Sequence, residues 1–172
     1  MAELKTKKTT VSPLKFITSV KDAQKRADTK ELLKIFKSAT GMQPKVWGET
    51  GGGNARAKAG ASAPSRGRAK SQQRLMGGRG IIGYGQYHYK SERSRQEGDW
   101  PLTGFSPRVQ SHTIYIMPGF KSYGALLKKL GKHTISGGSC IYIKRLSDVH
   151  VPILKTIIKK SVAEMKKRYG VR

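Results

Sequence analysis

The sequence predicts an α+β fold in which one antiparallel sheet is flanked by an N-terminal and a C-terminal helix, with a disordered insertion in the first half. Three observations predict it. Apolar residues recur at helical spacing near both ends, as Leu32, Ile35, Phe36 and Ala39 and as Leu154, Ile158, Val162, Met165 and Tyr169. Between them lie short runs rich in β-branched and aromatic residues, separated by turn residues. Residues 49–80 contain eight glycines and only Leu75 and Met76 as large apolar side chains. Such a composition buries too little apolar surface to offset its conformational entropy.

Each element has a local reason. Ser12-Pro13 is a helix start, because Ser caps free N–H groups and Pro suits the first helical position. Leu14, Ile17 and Val20 then follow at helical spacing. A second helix spans 22–39, with Ala27, Leu32, Ile35, Phe36 and Ala39 inward, Lys30, Lys34 and Lys37 outward, and Gly41 as its stop. Pro44 to Trp47 is extended. Residues 81–89 read as one strand with an aromatic face (Tyr84, Tyr87, Tyr89), bent at Gly85. Residues 91–99 read as a polar turn, and 102–108 and 112–117 as strands. A short helix covers 123–130, closed by Gly131, and 140–144 is the final strand. The last helix follows Asp148, has Pro152 in its first turn, and ends on Lys166-Lys167-Arg168, which complement its dipole. The domain is therefore expected over 12–170, interrupted by 49–80 and preceded by a flexible basic segment, 1–11.

Charge bounds the function classes. The net charge of +25 divides into +7 over residues 1–48, +6 over 49–80 and +12 over 81–172. Charge spread in this way attracts polyanions without reading them. The single cysteine, Cys140, forms no internal bridge and reads as a small buried hydrophobe in a strand, which fits a reducing cytoplasm. No apolar run approaches the ~18 residues of a membrane span, and Ser12-Pro13 follows the basic N-terminus where a secretory signal would be apolar. The expectation is a cytoplasmic protein without membrane partners.

Enzyme classes fail for want of parts. His88, His112, His133 and His150 show no metal-ligand spacing, and no second cysteine completes a zinc site. Glu92, Glu97 and Asp99 share their turn with Arg93 and Arg95, which favours a solvated loop over a metal cage. No nucleophile elbow and no Walker loop occurs. The expectation is no enzyme, no cofactor and no metal. Two features remain. Ser106 and Arg108 fall on one face of a strand, where the guanidinium either binds an anion bidentately or pairs with Asp99. The glycine-rich basic stretch from Leu130 to Ser139, with Lys132, is either an anion nest or a plain helix stop. His88 lies opposite Tyr87 and Tyr89 on its strand, as a half-exposed histidine or a ligand.

Several rare-residue strings occur in one order: Trp47-Gly48, Gly83-Tyr84-Gly85 with Tyr87-His88-Tyr89, Gly98-Asp99-Trp100-Pro101-Leu102, Gly104-Phe105-Ser106-Pro107-Arg108, and Lys132 to Leu146. On these the chain resembles the YdhG-like domain family over about residues 12–48 and 81–170. The resemblance implies a frataxin-like sandwich of antiparallel sheet and flanking helices, with the insertion at a hairpin tip. One member of that family is described as a frataxin-like intracellular iron chaperone. The first two helices here are lysine-rich, carrying only Asp22, Asp28 and Glu31 as acids, whereas iron needs carboxylates. The expected function is therefore binding of a small anionic ligand or a partner protein through Tyr87, His88, Trp100, Ser106, Arg108 and Lys132. The alternatives are iron handling and weak non-specific nucleic-acid binding through Arg56, Arg66, Arg68, Lys70, Arg74 and Arg79.

Overall fold

The computed structural model describes residues 2–3, 6–48, 80–91 and 96–171. The elements begin with β1 (Ala2–Glu3), α1 (Pro13–Thr18), α2 (Ala23–Thr40), β2 (Pro44–Trp47) and β3 (Ile81–Tyr84). A hairpin of β4 (Tyr87–Ser91) and β5 (Gln96–Trp100) follows, then β6 (Thr103–Pro107) and β7 (His112–Ile116). The chain continues through α3 (Gly124–Leu130), β8 (Thr134–Ser136), β9 (Cys140–Ile143), a 3-10 turn (Leu146–Asp148) and α4 (Val151–Tyr169). The predicted α+β architecture is present.

Alternation along the strands builds the two faces of a six-stranded antiparallel sheet, ordered β2-β3-β6-β7-β9-β8. Register places Val46, Ile82, Phe105, Ile114 and Ile141 in one row across it. This row is fully buried against α2 and α4, which pack on each other and on the same side of the sheet. Phe36 of α2 stacks on Tyr84 at a ring separation of 5.5 Å and meets Phe105 in a tilted contact at 4.9 Å, and the Tyr84 hydroxyl donates to Leu33 O at 3.0 Å. Burying such a phenylalanine contributes on the order of 2–3 kcal/mol.

The opposite face carries Gly83, Gly104, Tyr115, Cys140 and Ser136 in register. At Gly104 any side chain is excluded, because a Cβ would lie 2.6 Å from Ile82 O.

The predicted caps at Ser12 and Gly41 form: Ser12 Oγ accepts from Lys15 N at 3.1 Å, and Gly41 ends α2 at φ +70°. At the start of α2, Asp22 Oδ1 accepts from Lys25 N at 2.6 Å. The β2–β3 pairing sets Trp47 opposite Ile81, so residues 48–80 join the two ends of a hairpin as expected. The disorder expected of the insertion concerns residues outside those described, apart from Gly80.

Four local readings are corrected. Leu14 is 63 % exposed and the six-residue α1 ends before Val20; Ile17 is buried as its spacing implied, with Phe16 beside it. The strand expected over 81–89 breaks at Gly85, whose φ of +65° ends β3 and lets β4 leave the sheet. The polar turn expected over 91–99 is mostly strand: β5 pairs with β4 antiparallel and with β1 parallel, forming a second, three-stranded sheet. The glycine-rich stretch after α3 holds strand β8, which pairs with β9 before the turn at Gly137-Gly138.

Candidate anion-binding site

The structure separates the residues grouped from the sequence. Tyr87 is buried at the hairpin base, its ring 4.4 Å from that of Tyr169, and Trp100 packs beside it. His88 projects from the other face of β4, as alternation required. Its Nε2 lies 3.0 Å from Glu97 Oε1 and its Nδ1 3.3 Å from Asp99 Oδ1. Hydrogen bonding to Glu97 first, and to Asp99 second, raises the imidazole above its ordinary pKa. Each carboxylate takes its own ring nitrogen, so the three groups do not converge on a common centre. Among the described residues no group of three or more His, Cys, Asp or Glu side chains is placed to hold a metal ion.

Ser106 is fully buried and donates to Gly80 O at 2.6 Å. Arg108 Nη2 donates to the Tyr115 hydroxyl at 3.2 Å, while Asp99 engages His88 and Gln86 within the hairpin. The expected Arg108–Asp99 pair is thus replaced by a contact on the open sheet face. Cys140, expected to be buried, is half-exposed on that face. Arg56, Arg66, Arg68, Lys70, Arg74 and Arg79 lie outside the described residues.

Lys132 is different. It lines a cleft of about 970 Å³ formed where the N-terminal end of α2, the β6–β7 turn and the β8–β9 end of the sheet meet. Lys25, His133, Lys144 and Arg145 share this lining, with Asp22, Asp28, Asp148, Tyr142 and Val109. The volume is that of a ligand pocket rather than a packing defect.

What decides the electrostatics is which charges are already engaged. Each carboxylate accepts a backbone N–H: Asp22 from Lys25 at 2.6 Å, Asp28 from Leu146 at 3.0 Å, Asp148 from Arg145 at 3.1 Å. The Lys25 ammonium donates to Arg108 O and Val109 O, both at 2.6 Å, and fastens the β6–β7 turn to α2. Partial burial, opposed by Asp22 and Asp28, holds its pKa below the usual lysine value. The exposed heads of Lys132, Lys144 and Arg145 have no hydrogen bond or ion pair with a described side chain. Lys132 and Lys144, without a partner among the described residues, thus rim with Arg145 a cleft whose three carboxylates keep their charge but are held in place by backbone N–H groups.

Below this wall lies a residue that sequence reading passed over. His112 is fully buried on β7, and neither ring nitrogen has a hydrogen-bond partner among the described residues. Asp28 Oδ2 is 3.8 Å from its Nε2, too far for a hydrogen bond. Desolvation, helped by the Lys25 charge and only partly opposed by Asp28, pushes its pKa down to about 4.

The sequence reading also missed Lys25, Tyr142, Lys144 and Arg145. The available signal was proximity in sequence: Lys132 and His133 directly precede β8, and Lys144 and Arg145 directly follow β9, its hydrogen-bonded neighbour.

No family model, curated protein or solved structure matches this chain.

Proposed function

We propose that this chain is a non-enzymatic, cytoplasmic YdhG-like domain that binds an anionic ligand, and that the ligand sits in the cleft rimmed by Lys132, Lys144 and Arg145. One observation carries the reading. All three carboxylates of the cleft are held by backbone N–H groups, while the heads of Lys132 and Lys144 have no partner among the described residues and Arg145 lies exposed beside them. Like charges gathered in this way repel one another, and a bound anion removes that repulsion while supplying charge-assisted hydrogen bonds. Tyr142 and Val109 add apolar wall, so the cleft suits an organic anion as well as a bare oxyanion.

The test is calorimetric titration with pyrophosphate and with citrate at low salt. Lys132→Ala and Lys144→Ala are each expected to weaken binding by about tenfold, the worth of one charge-assisted hydrogen bond. Lys159→Ala, an exposed lysine on α4, is the control and changes affinity little. Equal losses in all three variants reduce the effect to diffuse attraction by a +25 protein and overturn the site.

A further inference from the structure

The cleft adjoins an unpaired edge of the sheet. β8 is the terminal strand, its three residues are exposed, and no described strand pairs beyond it. Ile135 in its middle is 49 % exposed, one of few large apolar side chains so placed. The other terminal strand, β2, is covered. Residues 7–9 lie along it, with Thr9 N donating to Val46 O at 2.8 Å and Gly48 N to Lys7 O at 2.7 Å.

Parity sorts what a strand added to β8 would meet. Thr134 and Tyr142, paired across β8 and β9, share one face and line the cleft, and Lys132, His133, Lys144 and Arg145 line it just beyond the strand ends. Ile135 extends, on the other face, the buried row that runs through Ile114 and Ile141. An added chain therefore presents one set of alternate residues to the Thr134 and Tyr142 face, which these cations flank, and the other set to Ile135. Resting on the anion-cleft reading, we propose that the occupant is an extended acidic segment of a partner protein, paired as an added strand along β8. Its carboxylates turn toward Lys132 and Lys144, and an apolar side chain packs on Ile135. Charge selects this occupant over a second copy of the chain, because two bodies of +25 repel. The cleft is also far larger than a single oxyanion, and a peptide supplies several carboxylates at strand spacing.

The probe is a short, labelled peptide alternating glutamate and valine, followed by fluorescence anisotropy and by amide hydrogen exchange of the full chain. A second peptide of identical charge carries N-methyl groups on the amides that would face β8. The expected result is binding of the first peptide with slowed exchange at 134–136, loss of about tenfold or more in affinity on methylation, and a similar loss in Lys132→Ala/Lys144→Ala. Equal binding of both peptides overturns strand pairing while the anion cleft stands. So does pyrophosphate binding at these lysines with no peptide binding. Peptide binding indifferent to Lys132 and Lys144 overturns the proposal together with the anion reading. A single-stranded oligonucleotide that displaces the peptide more tightly, without protecting 134–136, overturns the peptide as occupant.

Discussion

His112→Leu is expected to stabilise the protein, and increasingly so as the solution is acidified. At neutral pH the imidazole is buried with both nitrogens unpartnered. An unsatisfied buried polar group costs about 1–3 kcal/mol, which an aliphatic side chain of similar volume avoids. The pH dependence follows from the depressed pKa. The folded value of about 4 lies below the ordinary 6.5, so below pH 6.5 the unfolded chain takes up a proton that the fold refuses. Stability from this group is therefore lost as pH falls through the window between the two values. One pKa unit is worth about 1.4 kcal/mol, so the loss is about 2 kcal/mol by roughly pH 5 and about 3 kcal/mol by roughly pH 4. Urea unfolding of wild type and variant across that range isolates it, because all other titrating groups are common to both. The difference in unfolding free energy should widen by about 2 kcal/mol between roughly pH 7 and roughly pH 5. Parallel curves would show that His112 takes its proton in the folded protein and would refute the reasoning.

Three other outcomes are expected. His88 should titrate above 6.5 by NMR, and Glu97→Gln should return it toward that value; because the folded pKa is raised, its support of the hairpin is full below 6.5 and lost as pH rises through the folded value, and an unchanged midpoint in the variant would remove Glu97 as the cause. Gly104→Ala should destabilise by about 3 kcal/mol in chemical denaturation, since the added Cβ meets the backbone oxygen of Ile82 rather than a movable side chain; a neutral effect would contradict the β3–β6 approach. Replacing 49–79 by Asn-Gly between Gly48 and Gly80 should keep the fold and raise stability by up to about 2 kcal/mol in a thermal melt, because Trp47 and Ile81 already pair and less chain must close; the same variant, seven cations poorer, should show a shallower salt dependence of nucleic-acid binding, and unchanged binding would remove that role from the segment.

The fold was legible where one period dominated. Leu32 and Phe36 of α2 and Leu154, Ile158, Val162 and Met165 of α4 are buried as their spacing required. The stop of α2 at Gly41 was equally plain. β5 and β8 were not, because Gln96-Glu97-Gly98-Asp99 and Thr134-Ile135-Ser136 lack the apolar alternation of a strand with a buried face. Tertiary pairing, not propensity, makes them strands. The cleft was legible only at Lys132. Its other cations come from α2 and the end of β9, and the commitment of Asp28 to Leu146 N spans the chain in a way no local spacing shows. Polar residues such as Asp28, Thr29 and His112 are buried for the same reason. The grouping of Tyr87 with Arg108 failed because Gly85 sends β4 out of the main sheet.

Among the described residues the β4–β5 hairpin shares no ladder with the six-stranded sheet and is tied down by a small cluster of Tyr87, Leu102 and Met165, with the Tyr169 ring in tilted contact from the last turn of α4. It therefore constitutes a separate cooperative unit, whose opening exposes far less apolar surface than global unfolding. Hydrogen exchange at its amides should consequently report a lower free energy than exchange in β6 or β7. A chain truncated before Tyr169 should release this unit first and leave the sheet intact. The C-terminal turn of the last helix thus governs a partially open state of the protein, independently of the core that the rest of that helix completes.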